Sequence, residues 1–125
     1  MLKIDKDTKT IHINRGDIGT IKVYAIDDND KEYKFQPKDI IRLTIVEKNN
    51  YSNVKLTKDY EIESESEYAE LALFGEDTRF DEPENKPIVY WYTIELNPDT
   101  LQQTIIGHDE KGPKQFIIYP EGVKL

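Results

Sequence analysis

The stretch Ile88-Val89-Tyr90-Trp91-Tyr92-Thr93-Ile94-Glu95-Leu96 decides the fold class. Nearly every residue in it is β-branched or aromatic, the types that suit a pleated, half-buried surface. Side chains alternate between the two faces of a strand, and here both faces are apolar or aromatic at the start. That pattern predicts a central strand, with Trp91 packed between two sheets. Pro87 precedes it, and Asn97-Pro98-Asp99-Thr100 supplies a tight turn after it.

Outward from this strand the chain repeats short alternating runs with turn signals between them, the arrangement expected of a sandwich or barrel. Toward the amino end, Ile41, Leu43 and Ile45 share one face of 40–47, and Ile21, Val23 and Ala25 share one face of 20–26. A short strand is expected at Tyr33-Lys34-Phe35, and a small hairpin from 2–5 and 10–14 around Lys6-Asp7-Thr8-Lys9. After the polar loop 48–53, Val54–Lys58 and Tyr60–Ile62 read as two charged peripheral strands, whose charge discourages edge-to-edge association. Glu67–Phe74 alternates Ala69, Leu71 and Leu73, although Ala, Glu and Leu also favour helix; its short length and its neighbours favour strand. The segment 75–87 has no periodicity, and Pro83 and Pro87 allow at most one helical turn. Toward the carboxyl end, 101–106 and 114–119 read as a closing hairpin around 107–113, with Pro120 stopping the last strand.

Composition agrees. Ile, Val, Thr, Tyr, Phe and Trp outnumber Ala, Leu and Met 43 to 12. The expectation is an all-β, immunoglobulin-like antiparallel β-sandwich of about 7–9 strands with little helix, in one domain over 1–125. Charged residues make up 34% and the hydrophobic set 37%, so the core must be economical. A net charge of −8 argues against a general binder of phosphate backbones, and the absence of cysteine excludes a disulfide framework and thiolate metal sites. No apolar run approaches a membrane span, and Met1-Leu2-Lys3-Ile4-Asp5 lacks the apolar region of a secretory signal. Synthesis in a cytoplasm is expected.

Motifs with chemical meaning are few. Arg15-Gly16-Asp17 matches an integrin-binding tripeptide, but a turn explains it as well, with Gly permitting the backbone and Asp bonding nearby main chain. Asp27-Asp28-Asn29-Asp30 offers oxygen ligands, yet Lys31 and Glu32 stand where a calcium loop needs a ligand and Gly. The acidic stretch 61–70 reads as solvated strand and loop. His12 and His108 are the only imidazoles and have no paired spacing for zinc. Ser52, Ser64 and Ser66 fall in polar loops, none in a nucleophile elbow. Carboxylates number 25, but abundance is not pairing. No phosphate-cradling glycine loop and no basic cluster is present, so no cofactor and no nucleic acid are expected. Tyr24, Tyr33, Tyr90, Trp91, Tyr92 and Tyr119 could form a carbohydrate platform or protein interface, with Trp91 itself assigned to the core.

One resemblance goes further. It rests on 90–100, Gln103-Thr104-Ile105-Ile106-Gly107-His108-Asp109, Gly112-Pro113-Lys114, and Phe116 to Gly122, together with Asn14-Arg15-Gly16-Asp17 and Thr20. In these the chain resembles a family of small proteins encoded in tail-gene regions of phages and prophages of Firmicutes. More distantly, it is similar to the immunoglobulin-like amino-terminal domain of phage baseplate upper proteins. The match runs from about Ile13 to Gly122, with His108 where relatives would carry Tyr. The resemblance implies a virion structural or assembly protein made in the bacterial cytoplasm. It would act without catalysis or cofactor, partnered by other tail or baseplate proteins, a role with which self-association is compatible. Its end segment would then hold turn and framework positions. The alternative reading is a carbohydrate- or host-surface-binding sandwich module.

Overall fold

In the computed structural model, which describes residues 2–124, the alternation of apolar and polar side chains lays out nine strands. They are β1 (Leu2–Ile4), β2 (Ile11–Asn14), β3 (Gly19–Val23), β4 (Ile40–Glu47), β5 (Asn50–Glu61), β6 (Ala69–Leu73), β7 (Ile88–Leu96), β8 (Gln103–Ile106) and β9 (Lys114–Tyr119). A single 3-10 turn at Gly75–Thr78 is the only helix among the described residues. No helix there is long and apolar enough to cross a membrane.

A larger sheet runs in the order β1-β2-β9-β7-β4-β5, with β8 also on β7, and a two-stranded sheet pairs β3 with β6. The chain is therefore an all-β sandwich. Facing positions close its core: Ile13, Leu43, Tyr92, Ile94 and Phe116 from the large sheet meet Ile21, Leu71 and Leu73 from the small one, all essentially buried. Each contributes roughly 1.5–3 kcal/mol on removal from water. Phe35 joins them from the long connection between β3 and β4, where it bridges Ser66. In β6 the buried residues are Ala69, Leu71 and Leu73, a period of two that settles the segment as strand.

Several expectations need correction. The larger sheet is mixed: β2 runs parallel to β9, Ile11 opposite Phe116 and Asn14 opposite Tyr119. The 54–58 and 60–62 segments, with part of the expected polar loop, form one twelve-residue edge strand, β5. Its turn from β4 is only Lys48-Asn49, with Asn49 at φ 66°, a left-handed conformation that Asn tolerates in turns. Ser52 consequently lies in a strand, not a loop. The Tyr33–Phe35 and Ala25–Ile26 segments make isolated bridges in place of a full strand.

The expected closing hairpin is also different. β8 and β9 do not pair with each other; both run antiparallel to β7 along the same edge. Ile106 sits opposite Ile94 and Lys114 opposite Tyr92, so residues 107–113 are an excursion standing over Thr93 alone. Lys114 Nζ ties the excursion down, bonding Asp109 Oδ1 at 2.7 Å.

Trp91 is not in the core. Tyr90 and Tyr92 point inward and are buried, which turns Trp91 to the outer face of the large sheet, where it is half-buried.

Candidate functional site

Each motif singled out by sequence has a definite place. Arg15-Gly16-Asp17 forms the turn from β2 to β3, and Gly16 takes φ +85°, a conformation open chiefly to glycine. The Gly16 N–H donates to Thr78 Oγ1 at 2.8 Å and the Asp17 N–H to the Asn14 carbonyl at 3.1 Å. The Arg15 side chain, 19% exposed, bonds Glu121 Oε1 at 3.2 Å. Arg79 shares that carboxylate at 3.0 Å. The tripeptide is thus a clamped structural turn.

Asp27-Asp28-Asn29-Asp30 is also a turn. Asp27 Oδ1 accepts the N–H groups of Asn29 and Lys31 at 2.9 and 3.0 Å, and Asp30 adopts φ 58°. Among the described residues no group of three His, Cys, Asp or Glu side chains is placed to hold a metal ion. The two imidazoles stay apart. His12 Nδ1 meets Tyr119 Oη at 2.9 Å across the β2–β9 pair, while His108 sits in the 107–113 excursion.

Several carboxylates serve as structural anchors. Asp39 accepts from Tyr33 Oη at 2.7 Å, from the Gln36 N–H at 2.9 Å and from Asn97 Nδ2 at 3.1 Å. Burial raises its pKa, but these three donors outweigh it and hold the carboxyl below its ordinary value. The Tyr33 hydroxyl is pushed up to about 12 by burial and by Asp39. Asn97, at φ 49° just past β7, adds a bond from the Ile40 N–H to its Oδ1 at 2.9 Å. Thr100 N–H closes on the Asn97 carbonyl at 3.1 Å, so 97–100 is the expected turn.

Asp81 anchors the opposite side. It takes the Tyr90 hydroxyl at 2.7 Å and Lys55 Nζ at 3.1 Å. Burial raises its pKa, and these two partners override that and lower it. Asp77, buried in the 3-10 turn, accepts the Phe74 N–H at 2.7 Å and pairs with Lys58 at 2.5 Å.

Two surface features are left uncommitted to such anchoring. The first is aromatic. Trp91 packs on Tyr51 with centroids 5.2 Å apart and edge-on to His108 at 6.5 Å, over buried Val46. Tyr51 Oη lies 3.3 Å from His108 Nδ1, so the cluster clasps the β4–β5 hairpin to the excursion. Of the other aromatic residues, Tyr90 and Tyr92 are core, and Tyr24 is 57% exposed.

The second is an apolar groove along the side of the sandwich. Tyr24, Ile26 and Leu101, 57, 70 and 82% exposed, all line one hollow of about 630 Å³ between the end of β3 and β8. Sequence reasoning missed it. Tyr24 and Ile26 stand on either side of the half-buried Ala25 and so continue the outward face of β3, and an apolar residue at an outward position was the available signal.

No protein-family model matches the chain, and no curated protein matches it.

Proposed function

We propose that the chain is a non-catalytic structural or assembly module of a phage or prophage tail or baseplate, working through contacts with other virion proteins. The observation that carries this reading is the gathering of Tyr24, Ile26 and Leu101 in one exposed groove, since contiguous exposed apolar surface marks a site of association. The resemblance of the Tyr90–Gly122 region supplies the setting. Anchoring of Asp39, Asp77 and Asp81 to turns and lysines fits a rigid brick better than a reaction vessel. A net charge of −8 disfavours nucleic acid as the partner. On this reading the protein is made in the bacterial cytoplasm and incorporated into particles, with its own copies as possible neighbours. Mass spectrometry of virions purified after prophage induction tests it. The chain should be found in particles or assembly intermediates, and its absence from all of them overturns the reading.

The second reading, a carbohydrate-binding module, is favoured by one observation, the Tyr51–Trp91 pair on the outer face. Glycan-array binding that disappears in Tyr51→Ala would support it.

A further inference from the structure

We draw no further inference here: the strongest candidate, the apolar groove between the end of β3 and β8, is lined by Lys9 and Lys22 and by Asp27 and Asp28 alike, and nothing in the structure shows what covers it.

Discussion

Arg79 lies against Gly16: a Cβ added to that glycine would overlap the arginine Nη2. The same glycine holds φ +85°, and the arginine also bonds Glu121 beyond β9. The backbone carries the penalty in Gly16→Ala, because the half-exposed tip of Arg79 can move aside. The backbone part alone is about 1–2 kcal/mol. Urea denaturation should show a loss of about this size, and Arg79→Ala in the same background should recover none of it.

The Asp39 cluster gathers the Tyr33–Asp39 loop, the start of β4 and the turn after β7 on one carboxylate. Asp39→Ala strands the Tyr33 hydroxyl and the Asn97 amide. The site is partly wet, so a cost of about 1–2 kcal/mol is expected in the urea midpoint.

Acid should weaken the fold in a defined window. The carboxyls of Asp39, Asp59 and Asp81 all have pKa values below the ordinary 3.8 in the folded chain. In Asp59 the Arg42 hydrogen bonds are the chief cause. A depressed folded pKa gives stability that is complete above the unfolded value and drains away as pH falls through the folded one. The urea midpoint should therefore hold from neutrality to about pH 5 and decline below about pH 4, with a shallower decline in Asp39→Asn.

Lys114 and Asp109 form an unequal pair, 8% and 54% exposed. Removing the exposed partner leaves a buried ammonium uncompensated, whereas removing the buried one returns a carboxylate to water. Asp109→Ala should lower the thermal midpoint more than Lys114→Met, a ranking that differential scanning fluorimetry can read.

Trp91 should emit as a partly solvated indole and be accessible to acrylamide. Tyr51→Ala should increase that access while leaving the fold intact, since the pair lies outside the core. Phe116→Ala, inside it, should cost about 3–5 kcal/mol.

The misplacement of Trp91 shows what local pattern carries and what it does not. Period two separates Tyr90 and Tyr92 from Trp91, but where both sets are apolar it does not say which faces inward. In β4 and β6 the opposite side carries Arg42, Thr44 and Glu70, which mark the outward face once the segment is read as strand. Gly107 and Gly112-Pro113 mark a reversal of the chain but not which strand receives it, so a hairpin and an excursion along β7 read alike. The parallel pairing of β2 with β9 joins residues more than a hundred positions apart and has no local signature. The groove was illegible for the same reason, because a missing neighbour beside β3 is a property of topology.

That parallel pairing has a mechanical consequence. Tension applied at the amino end of β2 and from beyond β9 slides the two strands past each other lengthwise, so the ladder from Ile11–Phe116 to Asn14–Tyr119 bears the load together instead of opening rung by rung. β9 is braced by β7 on its other edge, so such a load passes on into the middle of the large sheet.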